Sequence, residues 1–266
     1  MSIFRLDGKV ALITGGSYGI GFGIAQAMYE AGATICFNDI NQDAVNRGLE
    51  NYKEAGIPVH GYVCDVTNEE QVSELVAKIE AEVGVIDILV NNAGICKLEK
   101  FIEMSDDVRD SHFDINIKST WNITKTVLPH MIKNNYGKIV NLSSVTGPMV
   151  ADSGEVAYAT TKAALLGFTK SLAMEVVKNN ICVNAIMPGY IHTPMVDGIA
   201  IDTNKEDPES VIKGIAAGIP MGRLGTIDEL GELAAFLASD EASYITGQGI
   251  VIDGGSTLPE TKSVGV

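Results

Sequence analysis

Short, nearly continuous apolar runs alternate along this chain with longer segments whose apolar residues recur at helical spacing. Lys9–Thr14, Ala33–Asn38, Val59–Cys64, Ile86–Val90, Lys138–Leu142, Ile181–Met187 and Gln248–Asp253 read as strands. The first and fourth are apolar almost throughout, as expected of strands covered on both faces. Phe22–Ala31, Asp43–Ala55, Asn68–Val83, Gly154–Val177 and Thr226–Ser239 read as helices. Gly32 stops the first, and Thr67 or Asn68 caps the third, with Glu69 and Glu70 in its first turn. This rhythm predicts an α/β protein: a single-domain, Rossmann-like, doubly wound parallel sheet of about seven strands with helices on both faces. One stretch, Met195–Gly222, breaks the rhythm with mixed Gly, Ala, Asp and Asn and reads as a long irregular segment. The domain spans 1–266, ending in a C-terminal tail, Ser256–Val266.

Composition adds three constraints. Hydrophobic residues make up 46% of the 266, enough for a large core, and 28 glycines against 6% aromatics suit an α/β chain. A net charge of −15 argues against nucleic acid and anionic membrane surfaces as partners, since both would repel it. Four scattered cysteines, Cys36, Cys64, Cys96 and Cys182, offer neither a disulfide framework nor a metal site. They fit a reducing cytoplasm. No apolar stretch reaches the ~20 residues a membrane span needs.

Candidate chemistry gathers where strands end. The first strand runs into Thr14-Gly-Gly-Ser-Tyr-Gly-Ile-Gly21 and then a helix, with Asp39 closing the second strand 18 residues past Gly21. Glycines at 15, 19 and 21 let the backbone approach a pyrophosphate, and the helix N-terminus offers it free N–H groups. A carboxylate at position 39 accepts from ribose hydroxyls and repels a 2′-phosphate. No Arg or Lys stands at position 17 or 40, so NAD is expected over NADP. Asp65 and Asn91–Gly94 fall at further strand ends, on the edge where such sheets bind ligands. Farther on, Tyr158 and Lys162 stand four apart in a helical stretch. At that spacing the ammonium reaches the neighbourhood of the phenol and is expected to lower its pKa, making a general acid/base.

With the T-G-x-x-x-G-x-G turn, Asn91-Asn-Ala-Gly94, Asn116, Ser144, the Tyr158/Lys162 pair, and Pro188-Gly189 before Thr193, the chain resembles the short-chain dehydrogenase/reductase family, from about residue 5 to Gly255. The resemblance implies catalytic roles for Asn116, Ser144, Tyr158 and Lys162. Tyr158 would carry the proton, Lys162 would lower its pKa and hold the nicotinamide ribose, Ser144 would hold the substrate oxygen, and Asn116 would orient a water. It also implies that Gly15, Ser17, Gly19, Ile20 and Gly21 line the pyrophosphate, and that Asp65 and Val66 flank adenine. Asn92 and Gly94 would lie on the adenosine side, and Pro188, Gly189, Ile191 and Thr193 by the nicotinamide. Residues 195–222 would be the substrate-covering segment. The 14-residue step from Ser144 to Tyr158 is one longer than the family pattern, which places an insertion within Pro148–Gly154. Met149, Asp152, Glu155, Cys96, Lys97 and His192 are candidates for the pocket wall.

The implied function is a hydride transfer between NAD and a secondary alcohol or ketone, with a sugar acid or polyol such as gluconate as substrate. The subgroup resemblance is to gluconate 5-dehydrogenase-like proteins. A ketoacyl-thioester reductase is the alternative enzyme, and a non-catalytic nucleotide-binding sensor or scaffold the alternative of another class. The family also implies a homo-oligomer, a tetramer foremost, with the Tyr158 helix packed against its counterpart; the apolar stripe of Leu165, Phe168 and Leu172 is compatible with that, and a core-facing stripe gives the same pattern.

Overall fold

The computed structural model describes residues 4–259; the tail expected at 256–266 lies mostly outside them. Seven strands form one sheet: β1 (Val10–Thr14), β2 (Thr34–Asp39), β3 (Val59–Val63), β4 (Ile88–Asn91), β5 (Gly137–Leu142), β6 (Ile181–Pro188) and β7 (Gly249–Ile252). Their order is β3-β2-β1-β4-β5-β6-β7, and every neighbouring pair is parallel. The chain builds outward from β1 to β3, then crosses back to β4 on the other side of β1. The order therefore reverses between β1 and β4, and the crevice opened there lies beyond the strand carboxyl ends.

Helices cover both faces. On one lie α1 (Gly19–Glu30), α2 (Gln42–Glu54) and α9 (Ile227–Ala238), burying Ile24, Met28, Tyr52, Leu230 and Ala234 against Ile13, Ile35 and Phe37. On the other lie α3 (Glu69–Glu82), α5 (Ser119–Asn134) and α6 (Val156–Val176), burying Val72, Val76, Ile123, Val127 and Val176 against Leu12, Leu89 and Val183. Each such side chain contributes about 1.5–3 kcal/mol by leaving water. Helix starts follow their caps. Asn41 accepts from the Ala44 amide, Asn68 from those of Glu70 and Gln71, and Thr226 forms a reciprocal capping box with Glu229. Small residues let α1 and α9 meet closely. A Cβ on Gly23 would stand 2.7 Å from Ile227, and one on Gly231 would stand 2.5 Å from the Gly23 carbonyl oxygen.

One expectation needs correction. The stretch read as irregular, Met195–Gly222, instead holds two helices, α7 (Pro194–Thr203) and α8 (Pro208–Ala217); the remaining helix, α4 (Asp106–Phe113), lies before α5. Each begins with proline at its first position, and Asp207 caps α8 by accepting from the Ser210 amide. Val196, Ile219 and Leu224 give this hairpin a small core of its own. Of the apolar stripe on α6, Leu165 is buried within the chain, while Phe168 and Leu172 are half-buried, the Phe168 ring lying 5.5 Å from that of the exposed Trp121.

Between α4 and α5 the chain takes one π-helical turn, Asp114–Lys118, in which the Ser119 amide reaches back to the Asp114 carbonyl. Such turns insert one extra residue into a helix. Here the residue at its centre is Asn116.

Candidate active site

The glycine turn joins β1 to α1. Its conformation requires glycine at Gly21, where a Cβ would stand 2.6 Å from the Gly15 carbonyl oxygen and 2.7 Å from Asn92 Nδ2. Gly15 takes φ +61°, a conformation costly for other residues. Asn92 closes the crevice by donating from Nδ2 to the carbonyls of Thr14 and Gly15, each at 2.9 Å. The Thr14 hydroxyl in return accepts from the amides of Asn92 and Ala93. From the other side α2 braces the turn: the Tyr52 hydroxyl donates to the Gly16 carbonyl at 2.6 Å, and Asn51 to that of Ser17. Neither residue is legible as part of the site in the sequence, where both read as surface positions of a polar helix.

Ser17 Oγ is buried here with no hydrogen-bond partner, and Tyr18 caps α1 without any side-chain bond. A buried hydroxyl left alone costs free energy. Together with the uncapped first turn of α1 it makes a set of donors suited to an anion such as a pyrophosphate. Along the same edge, Asp39 ends β2 half-buried, with one oxygen accepting from the Ile40 amide. Asp65 folds its carboxylate onto the amide and hydroxyl of Thr67, and Val66 beside it is buried. At the far side Pro188 closes β6, Gly189 donates to Ile252, and Ile191 is buried. Thr193 starts α7 with its side chain free of any capping bond. Gly19 and Ile20 open α1.

Four further side chains converge beyond β4 and β5. Asn116, Ser144 and Lys162 are buried, and Tyr158 is half-buried. Lys162 donates from Nζ to the Leu142 carbonyl at 2.7 Å and stands 5.6 Å from the centre of the Tyr158 ring. A Cβ on Gly94 would lie 3.2 Å from Asn116 Oδ1 and 3.5 Å from Lys162 Nζ, so the β4 turn packs directly on both. Ser144 Oγ accepts from the Thr146 amide, and its hydroxyl lies near enough to the Tyr158 phenol to favour the phenolate.

The electrostatics differ from the expectation that Lys162 would draw the tyrosine pKa downward. Burial dominates and pushes Tyr158 up to about 12, with the Ser144 hydrogen bond pulling the other way. Burial also presses Lys162 down to about 8, because its ammonium loses hydration. A second difference concerns Asn116. Its Oδ1 accepts from the Ile95 amide at 2.8 Å, while Nδ2 donates to the Ile95 carbonyl and to Thr161 Oγ1. The amide is thus occupied by protein, and Thr161 passes the link on by donating to the Tyr158 carbonyl.

Beneath the site runs a buried polar ladder. Asn91 Nδ2 donates to Thr124 and to Asn141, whose own Nδ2 donates to Thr169, and Ser143 donates to the Lys162 carbonyl. This ladder fastens α5 and α6 to the ends of β4 and β5. Its signal in the sequence is an asparagine closing one apolar strand and another set inside the next, since polar groups within a sheet need partners.

A nucleotide crevice with an acid/base cluster beside it is the arrangement of a nicotinamide-dependent oxidoreductase, and the chain belongs to the short-chain dehydrogenase/reductase family, which acts on CH–OH groups. Residues 15–257 match the family model described as enoyl-(acyl carrier protein) reductase. The chain is 54% identical over 262 residues to the oxidoreductase UcpA of Escherichia coli strain K12, covering 98% of this chain and 99% of that one. Among solved structures it resembles L-sorbose reductase from Gluconobacter frateurii, complexed with NADPH and L-sorbose, at TM-score 0.90 and 32% identity. That match covers 96% of this chain and 99% of the other. It also resembles gluconate 5-dehydrogenase from Burkholderia cenocepacia, complexed with NADP and tartrate, at TM-score 0.87 and 34% identity, covering 96% and 98%.

Proposed function

We propose that the protein interconverts a secondary alcohol and a ketone of the polyol or sugar-acid class, with Tyr158 as general acid/base. The observation that carries this reading is the meeting of Ser144, Tyr158 and Lys162 beside the glycine turn, at the carboxyl edge of one sheet. A nicotinamide bound along that edge supplies or accepts the hydride at its C4, and in its oxidised form adds a positive charge that favours the phenolate.

In the oxidation direction the substrate O–H proton passes to the Tyr158 oxygen as the carbinol C–H leaves as hydride; reduction returns the proton from the phenol. Ser144 holds the substrate oxygen while charge develops on it. Lys162, fixed by the Leu142 carbonyl with its nitrogen 5.6 Å from the centre of the Tyr158 ring, would hold the nicotinamide ribose. Asn116 acts through Thr161 to fix the first turn of α6; a water relay to solvent would rest on its backbone oxygen. For the cofactor, Gly15, Ser17, Gly19, Ile20 and Gly21 receive the pyrophosphate, Asp65 and Val66 the adenine, and Asn92 and Gly94 the adenosine side. Pro188, Gly189, Ile191 and Thr193 receive the nicotinamide. The unpartnered Ser17 hydroxyl supports this assignment.

Asp39 supports NAD over NADP, because its carboxylate repels a 2′-phosphate. The two solved relatives with NADPH or NADP pull the other way, so both cofactors belong in the test. Helices α7 and α8 form the cover over the substrate, and the free cysteines suit a cytoplasmic enzyme. A homotetramer is the assembly this reading carries, with Trp121 and Met174 as exposed apolar residues on α5 and α6; light scattering tests it.

The decisive experiment is a dehydrogenase screen over polyols, ketoses and aldonates with NAD and NADP. A second reading, reduction of a ketoacyl thioester, draws on the 3-oxoacyl-[acyl-carrier-protein] reductase FabG of Thermotoga maritima, to which the chain is 41% identical over 257 residues, covering 96% of this chain and 100% of that one. The charge of −15 works against an acidic carrier as partner. Turnover of acetoacetyl thioesters but of no polyol would favour that reading. Tight cofactor binding without any turnover would favour a sensor.

A further inference from the structure

Of the described residues of α4, His112 alone is buried, and it is an imidazole at a position where an amphipathic helix ordinarily carries an apolar side chain. A ring buried in this way has to satisfy both nitrogens. Nδ1 lies 2.8 Å from the Val108 carbonyl one turn back, so it carries the proton and donates. Nε2 is left to accept, and it does so from the Lys97 amide at 3.1 Å. Four residues on, Asn116 grips the same stretch of backbone through the amide and carbonyl of Ile95. The Glu99 amide in turn donates to the Gly154 carbonyl at 3.0 Å. Residues 92–100 belong to no helix or strand, and these bonds at alternate residues, 95, 97 and 99, set their course. That course passes Gly94, packed on Asn116 and on Lys162 Nζ, and reaches the turn four residues before Tyr158. The segment is therefore a wall beside the acid/base pair, and His112 fastens its middle.

We infer that His112 is a positioning residue: by accepting the Lys97 amide it holds residues 94–99 as the wall against which the substrate, away from its reacting carbon, is bound. Being fully buried, the ring acts through the backbone it holds and touches no substrate. A hydrocarbon side chain could fill the same space, but it would leave the Lys97 N–H without that acceptor, and a segment outside any helix or strand would then sample other courses. Tyr158 and Lys162 are held elsewhere, by α6 and by the Leu142 carbonyl. Loosening the wall therefore weakens substrate binding and spares the proton chemistry.

The proposal rests on the oxidoreductase reading above and adds a residue to its substrate side. The test combines initial rates on the best substrate of the screen with amide hydrogen exchange at Lys97, for wild type, His112→Leu and His112→Gln. His112→Leu is expected to raise KM by about tenfold, with kcat within about twofold and NADH affinity unchanged. The Lys97 amide should exchange faster in that variant. His112→Gln, whose carboxamide oxygen can still accept from that amide, should recover most of the KM and of the protection. A purely structural histidine would lower the melting temperature without this split between KM and kcat. A KM unmoved by His112→Leu, a loss carried equally by kcat and cofactor affinity, or no recovery in His112→Gln overturns the proposal and leaves the oxidoreductase reading intact. Should His112→Leu not fold, wild-type exchange decides: a protected Lys97 amide supports the proposal, and one exchanging as fast as an open loop overturns it. Absence of turnover with every alcohol, ketone and thioester overturns both.

Discussion

The ammonium nitrogen of Lys162 is held by the carbonyl oxygen of Leu142, 2.7 Å away at the end of β5. The lysine is therefore positioned by the sheet, and its distance from the Tyr158 ring is fixed by a strand end rather than by attraction to the phenol. Its burial makes the charge costly, and the pKa falls to about 8.

That cost predicts a stability effect. Between pH 8 and the ordinary lysine value of 10.5 the unfolded chain binds the proton that folded Lys162 has released, so Lys162 makes stability rise with pH across that window. Below pH 8 the full penalty applies, on the order of 3 kcal/mol before the bond to Leu142 is counted. Lys162→Met should abolish turnover yet raise the melting temperature at pH 7 by a few degrees. The gain should shrink as pH climbs to 10.5. A variant less stable than wild type at pH 7 would contradict the electrostatic account.

Tyr158→Phe should lower kcat by about a hundredfold or more while leaving cofactor affinity near wild type. Initial rates and a fluorescence titration with NADH measure the two quantities. Substantial residual turnover would remove Tyr158 from the mechanism.

The raised Tyr158 pKa, about 12, sets the pH behaviour of the two directions. Below that value the phenol holds its proton, so ketone reduction has its acid ready. Oxidation needs the phenolate, whose share grows about tenfold per pH unit. Alcohol oxidation should climb steadily from pH 6 to 9, with reduction flat or falling. Ser144→Ala removes the bond that opposes the rise and should move the oxidation profile further alkaline. Parallel pH profiles for both directions would count against this.

Cofactor choice turns on Asp39. Asp39→Ala should weaken NADH and relieve repulsion of NADPH, shifting the ratio of their kcat/KM values by about tenfold or more towards NADPH. An unchanged ratio would mean that Asp39 does not face the ribose.

The alternation of apolar runs made the sheet legible because buried parallel strands leave little freedom in composition: β4 and β6 are buried at every position. Residues 195–222 misled for a physical reason. Their glycines and acids dilute the pattern, while the helices rest on proline starts and on the Asp207 cap, which are local signals. The nearness of Tyr158 and Lys162 was legible from spacing and company. The direction of the tyrosine shift was not, because burial decides it and burial is a property of packing. The π-helical turn at Asn116 and the bond from Lys162 to Leu142 have no sequence signature for the same reason.

The contact of Gly231 on Gly23 ties opposite ends of the chain together. Although strand, turn and first helix are contiguous, the apolar side of α1 is covered by Leu230 and Ala234, residues made almost last. During synthesis the glycine turn would thus wait, half-built, until nearly the whole polypeptide had emerged. Completion of that turn then becomes a late event in maturation, and a chain cut short before α9 would leave the apolar side of α1 uncovered.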